Sequence, residues 1–194
     1  MKNMRPDMYV KDVSEIPLAK LKRQGFEIIV LDADHTLLSP KDCRVTNRIK
    51  RWFKKASKMG FKIGILSNTV VSLREERIEK IVASAEIPIF SVCCNLIEFR
   101  IKPFRIRLHL RQLKPYGYGF DRICQLAGVS ASKAVMAGDT LYYDIWGGQK
   151  AGFGFTILVR PNGPNNLWVL WRRLKERKPI KRFIEQFGHY GLRQ

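Results

Sequence analysis

Asp32 and Asp34 stand one residue apart at the end of the apolar run Phe26 to Leu31. Two carboxylates this close at the end of a buried strand repel each other unless a cation or a shared proton offsets the repulsion. The pair therefore points to a bound cation or a shared proton at the strand end, although either acid alone could cap a turn. Ser67-Asn68-Thr69 follows a second apolar run and can offer a hydroxyl and backbone N–H groups to an anion. Gly138-Asp139 follows a later run, with Asp144 shortly after it, and Lys114-Pro115 could supply a fixed positive charge, with Lys102-Pro103 as its rival. Taken singly, Ser67 could be a helix cap and Asp139 a turn residue.

What joins these residues is the alternation of elements that precede them. Ser14 is expected to cap a short helix with Pro17 in its first turn and Gly25 beyond its end, and Phe26 to Leu31 reads as a strand. Thr46 opens a helix with Ile49, Phe53, Ala56 and Met59 on one face, closed by Gly60 and followed by a strand from Phe61 to Leu66. A capping box at Ser72 and Glu75 precedes another helix, after which Pro88 to Cys94, Ala134 to Ala137 and Phe155 to Val159 read as strands. Strands apolar on both faces and alternating with helices predict an α/β fold, a Rossmann-like parallel sheet between helices. In such a sheet the ligand crevice lies beyond the carboxyl ends of the strands, where all the residues above would stand.

Two stretches depart from the alternation. Phe99 to Arg111 alternates apolar and mostly basic residues and changes phase at Pro103, resembling two short strands with one basic face. This stretch either covers the crevice or forms a solvated edge hairpin. Leu167 to Phe187 predicts a basic amphipathic helix broken at Pro179.

The chain of 194 residues is long enough for one domain with a proper core. Its longest nearly uncharged apolar stretch, Ile87 to Ile97, is well short of the roughly 20 residues that cross a bilayer, and Met1 to Pro6 lacks an apolar signal core. A cytoplasmic protein is expected, peripheral at the inner face of the membrane if it meets one. Cys43, Cys93, Cys94 and Cys124 show no C-x-x-C spacing and His35, His109 and His189 are scattered, which argues for reduced thiols and against a zinc set. A net charge of +19 exceeds the magnitude of about 2 to 8 that solubility asks of a small domain, and implies a polyanionic partner. Nucleic acid and an anionic membrane surface fit that charge equally.

The ordered set D-x-D-x-T at Asp32 to Thr36, S-N at Ser67-Asn68, K-P at Lys114-Pro115 and G-D-x-x-x-x-D from Gly138 to Asp144 resembles the four motifs of haloacid dehalogenase (HAD) superfamily phosphatases. Pro6 to Val10, Leu21 to Gly25, Gly119-Phe120, Thr140-Leu141 and Gly147-Gly148 extend the resemblance to the YqeG-like branch, which is related to mitochondrial phosphatidylglycerophosphate phosphatases. The resemblance covers roughly Pro6 to Pro161.

It implies an HAD-type fold without a large cap domain over residues 1–165, with the basic insertion near 96–113, and a basic C-terminal extension over 166–194. It implies Asp32 as nucleophile and Asp34 as acid and base, with magnesium held by Asp32, the Asp34 carbonyl and Asp139. Ser67, Asn68 and Lys114 would bind the phosphoryl group, with Thr36 and Asp144 in support. Lys114 is favoured over Lys102 because Gly119-Phe120 follows it at the family's spacing. His35 and Thr140 stand where the branch more often has an amide side chain. The implied reaction is hydrolysis of a phosphomonoester, a lipid phosphate such as phosphatidylglycerophosphate, through an aspartyl phosphate. A nucleic-acid end phosphatase or an RNA-associated protein is the alternative that the charge allows.

Overall fold

The computed structural model describes residues 4–71, 75–100, 105–108, 112–163 and 167–187, with side chains described for all of these except 69–71, 75, 95–100, 105–108, 167–173, 175 and 187. Its strands are β1 (Met8–Val10), β2 (Ile28–Leu31), β3 (Lys62–Val71), β4 (Phe90–Arg100), β5 (Arg105–Leu108), β6 (Ala134–Gly138) and β7 (Phe155–Val159). Its helices are α1 (Leu18–Arg23), α2 (Asn47–Lys58), α3 (Glu75–Ser84), α4 (Tyr118–Ala127), α5 (Gly147–Lys150) and α6 (Leu167–Phe187). The strands form one sheet in the order β1-β7-β6-β2-β3-β4-β5, parallel except where β5 runs back along β4. The expected α/β class and parallel sheet are therefore present.

Alternation within the strands divides the core in two. Ile29 and Leu31 of β2, Ile63 and Ile65 of β3 and Val135 and Ala137 of β6 pack with Leu21 of α1, Ile49 and Phe53 of α2 and Ile78 and Ile81 of α3. Ile28, Val30 and Met136 face the other way, onto Phe120, Ile123, Cys124 and Ala127 of α4. Tyr9 and Leu158 carry that second face to the β1–β7 end of the sheet, where Phe183, Ile180 and Ile184 of α6 cover them. Thr46 caps α2 as expected, its hydroxyl accepting from Ile49 N at 3.4 Å.

Several local expectations change. Asp12, not Ser14, provides the first cap: its carboxylate accepts from Ser14 N at 2.8 Å and tops a 3₁₀ turn at Val13–Glu15, and α1 starts only after Pro17. Met8–Val10 is an additional edge strand, paired with β7 from Met8↔Ile157 to Val10↔Val159. β3 and β4 run past Leu66 and Cys94, because they pair with each other as far as Val71↔Ile97. α6 passes through Pro179 unbroken. A proline forfeits one backbone hydrogen bond within a helix, and here the turns on its C-terminal side are held by the packing of Ile180, Phe183 and Ile184. The alternating stretch from Phe99 is partly strand, as the end of β4 and β5, and residues 101–104 and 109–111 lie outside the described residues. Ser72 of the expected capping box also lies outside them.

α4 supports the site from below. Phe120 is fully buried, meets Phe153 edge to face with ring centroids 5.4 Å apart, and leaves only enough room for glycine at Gly147, where an added Cβ would stand 2.9 Å from the Phe120 ring. Phe120→Ala is expected to cost about 3–5 kcal/mol of stability. Urea unfolding measures this as a lower midpoint at unchanged slope, and a loss below about 1 kcal/mol would contradict the packing described.

Candidate active site

Asp32 is the first residue after β2, and its backbone N–H donates to Ala137 O of β6 at 2.9 Å, so it emerges between the two central strands. The registers Leu31↔Ala137 and Leu31↔Ile65 bring the ends of β6 and β3 alongside. Asp139 follows β6 directly, and Ser67 and Asn68 lie in the outer part of β3. All of them stand at the carboxyl edge of the sheet, as expected for a parallel α/β ligand crevice.

Lys114 arrives from the loop before α4 and is buried to 3% exposure. Its Nζ donates to Asp32 Oδ1 at 2.5 Å and to Asp144 Oδ1 at 2.7 Å. The backbone is fixed just as tightly. Lys114 N donates to Asn68 Oδ1 at 2.8 Å, and Asn68 Nδ2 donates to Lys114 O at 3.1 Å. The Asn68 amide is thus engaged in positioning Lys114, and any contact with a phosphoryl group would have to come from its backbone. Lys102 lies outside the described residues.

Asp144 is held from its other side. Thr140 donates to Asp144 Oδ2 through Oγ1 at 2.6 Å and through its backbone N at 3.1 Å, while Thr140 Oγ1 caps the π-helical turn Leu141–Trp146. The Thr140 hydroxyl therefore orients Asp144. Gly138 makes room for it, since a Cβ at that position would lie 2.2 Å from Asp144 Cγ.

Asp34 turns away from this cluster. Its Oδ1 lies 2.7 Å from Arg77 Nη1, an ion pair not aligned as a hydrogen bond. Arg77 of α3 is itself anchored by donating from Nε to Asp42 O at 2.8 Å and from Nη2 to Ser39 O at 3.1 Å. Sequence reasoning gave Arg77 no role. Its partners are two backbone carbonyls and a distant acid, which leave no local spacing pattern. His35, next to Asp34, has φ +63° and ties this turn to Asn162. Its Nδ1 lies 2.8 Å from Asn162 O, a carbonyl that can only accept, so Nδ1 carries the proton. Thr36 is buried, and its Oγ1 has no hydrogen-bond partner among the described residues.

One carboxylate oxygen from each of Asp32, Asp139 and Asp144 lies within 4.8 Å of the others. An all-oxygen, all-carboxylate set suits a hard divalent cation such as magnesium. Both Asp144 oxygens already accept hydrogen bonds, from Lys114 and Thr140. Burial raises the Asp32 carboxyl to about 7, against the pull of Lys114 and with the added push of Asp144 and Asp34. Burial alone would lower the Lys114 ammonium, but Asp144 and Asp32 outweigh it and hold it above the usual lysine range. Lys114 is therefore a fixed cation at neutral pH.

Residues 10–152 match the family model of haloacid dehalogenase-like hydrolases. The chain is 27% identical over 184 residues to a protein of Bacillus subtilis named probable phosphatase YqeG, covering 95% of this chain and 93% of that one. It is 26% identical over 157 residues to the chloroplastic/mitochondrial phosphatidylglycerophosphate phosphatase 1 of Arabidopsis thaliana, a match covering 80% of this chain and 40% of that longer protein. Among solved structures, an HAD-like phosphatase candidate from Mesorhizobium loti superposes with a TM-score of 0.51 at 16% identity, covering 73% of this chain and 76% of the other, a likeness of fold.

Removing the Lys114 cation would leave Asp32 and Asp144 facing each other in a buried site. Lys114→Ala is expected to cost about 3–5 kcal/mol, the usual penalty for breaking a buried pair on one side only. It should also reduce turnover of a small soluble phosphate more than Lys102→Ala does. The reverse order in a side-by-side assay would show that the site's cation is misassigned.

Proposed function

Because the chain belongs to the haloacid dehalogenase-like hydrolases, whose phosphatase members it resembles in sequence, we propose that it is a magnesium-dependent phosphomonoester hydrolase acting on a lipid phosphate such as phosphatidylglycerophosphate. The observation that carries the reaction is the buried Lys114 bridging Asp32 and Asp144 at the end of the central strands.

In this reading the Asp32 carboxylate attacks phosphorus opposite the leaving oxygen, forming an aspartyl phosphate as the phosphorus–alkoxide bond breaks, while Asp34 delivers the proton that the alkoxide takes up. Water then attacks the aspartyl phosphate with Asp34 receiving its proton, which frees phosphate and restores Asp32. Lys114 and backbone N–H groups near Ser67 offset the charge on the phosphoryl oxygens, and Thr36 has an uncommitted hydroxyl with which to support the turn or the phosphoryl group. Asp144 keeps Lys114 aimed at Asp32. Magnesium, held by Asp32, Asp139 and the Asp34 carbonyl, would supply Lewis-acid charge neutralisation. Arg77 pairs with the Asp34 carboxylate at 2.7 Å and fixes its position.

The lipid half of the reading is supported by the likeness to a protein named for phosphatidylglycerophosphate and by the charge of +19. α6 exposes Arg177, Lys178, Lys181 and Arg182, and each basic residue near an anionic leaflet contributes about 1 kcal/mol. None of the described helices is long and apolar enough to cross a membrane, so any attachment through them is peripheral. A panel of phosphatidylglycerophosphate in anionic vesicles, nucleotides and 5′-phosphorylated oligonucleotides tests the substrate class. Faster turnover of the oligonucleotides than of the lipid would replace it with a nucleic-acid end phosphatase.

Asp32→Asn is expected to stay folded and to lose nearly all turnover, because an amide is neither a nucleophile nor a good magnesium ligand. Asp34→Asn should lose on the order of 10²- to 10⁴-fold in rate. Wild-type rates in the first variant, or a loss under threefold in the second, would overturn the assigned roles.

Metal binding should depend on pH with a definite sign. Asp32 must shed its proton to act as a ligand, and burial sets that step at about 7 in the metal-free protein. Magnesium affinity is therefore expected to rise as pH increases to about 7 and to level off above it, falling roughly tenfold for each unit below. Calorimetric titrations at pH 6 and pH 8 measure the difference, and equal affinities at the two values would show that the Asp32 carboxyl is not raised into this range.

A further inference from the structure

Beside Asp139 the carboxyl edge of the sheet opens into a cleft of about 580 Å³, within the range of small-molecule sites. One wall is α6, which begins after the family match ends at residue 152. The apolar lining is Pro161, Leu174, Ile180 and Ile184, and no aromatic ring is among the described residues that form it. Leu174 is 58% exposed, a large aliphatic side chain presented to the opening. Ile180 and Ile184 fix the wall, because with Phe183 they pack on Tyr9, Leu141, Ile145 and Leu158. The charged lining residues other than Asp139 are balanced, Arg177 and Lys181 against Glu176 and Glu185.

We propose that this cleft holds the aliphatic portion of the substrate's alcohol, so that α6 takes the place of a cap in setting specificity for phosphomonoesters with an apolar chain. The proposal rests on the reading of Asp32 and Asp139 as the phosphoryl centre. Asp139 belongs both to the carboxylate cluster and to the cleft lining, so a phosphate bound at the cluster would adjoin the cleft. The aliphatic side chains of the wall suit methylene groups, each of which tightens binding roughly threefold to fourfold when fully buried.

The test uses the full-length protein with magnesium and two series of soluble ligands, n-alkyl phosphates from ethyl to hexyl and the matching n-alkyl phosphonates, which cannot be hydrolysed. The phosphonates are expected to bind about twofold to fourfold more tightly per added methylene, and kcat/KM for the phosphates to rise in parallel. Leu174→Asp, at an exposed position on the cleft wall, should flatten both trends. Affinity independent of chain length in the wild type, or a trend that survives Leu174→Asp, overturns the proposal even if ethyl phosphate is hydrolysed. Chain-length-dependent binding without hydrolysis of any phosphate supports the cleft and overturns the phosphatase reading instead. Binding of a 5′-phosphorylated oligonucleotide that Leu174→Asp abolishes would assign the cleft to nucleic acid and end the proposal.

Discussion

A buried ammonium persists only where carboxylates repay the loss of its hydration, and Lys114 has two of them. Much of the local architecture follows from that requirement. Asn68 binds both backbone polar groups of Lys114, so the side chain is delivered from a fixed origin. Thr140 holds the far oxygen of Asp144, and Gly138 lacks the Cβ that would displace that carboxylate. Gly147 lets α5 approach Pro115 and Phe120, against which an added Cβ would stand 3.1 Å and 2.9 Å away. With one cation among three clustered acids, the site retains an excess of negative charge suited to a divalent ion.

The sheet order explains why the cluster forms where it does. β2 lies between β3 and β6, and the chain leaves β2 toward β3 and β4 before returning to β6 on the opposite side. The connections diverge at the end of β2, and the groove so created belongs to Asp32. Among the described elements only α2, with its flanking turns, intervenes between Asp34 and β3. α6 borders Asp139 on one side of the groove.

The placement of the site's polar side chains at strand ends was legible in the sequence, whereas the contacts that fix them were not. Asp32, Ser67, Lys114 and Asp139 each follow an apolar run or stand beside a proline or glycine, and Asp34 and Asp144 lie at short spacings after Asp32 and Asp139, so local pattern marks them. Arg77 carried no such mark, since its contacts are made through tertiary structure. Asn68 was visible as a polar residue at a strand end, but its use in clamping Lys114 depends on a loop far away in the chain. Strand existence was readable from apolar runs, whereas the extra length of β3 and β4 comes from mutual pairing. The brief β1 is too short to show a period at all. Pro179 was misleading because a helix-breaking propensity of about 3 kcal/mol can be outweighed by side chains packed on the core, as those of α6 are.

The bridge from Asp32 through Lys114 to Asp144 also bears on how the protein reaches its working state. Its members come from three distant parts of the chain, and they meet only after β2 has paired with both β3 and β6 and the loop before α4 has docked. Such non-local closures are entropically costly and slow compared with the formation of individual helices. No fragment containing only the first βαβ unit can assemble the site. During refolding, catalytic competence would report completion of the long-range topology, while helical content could recover well before it.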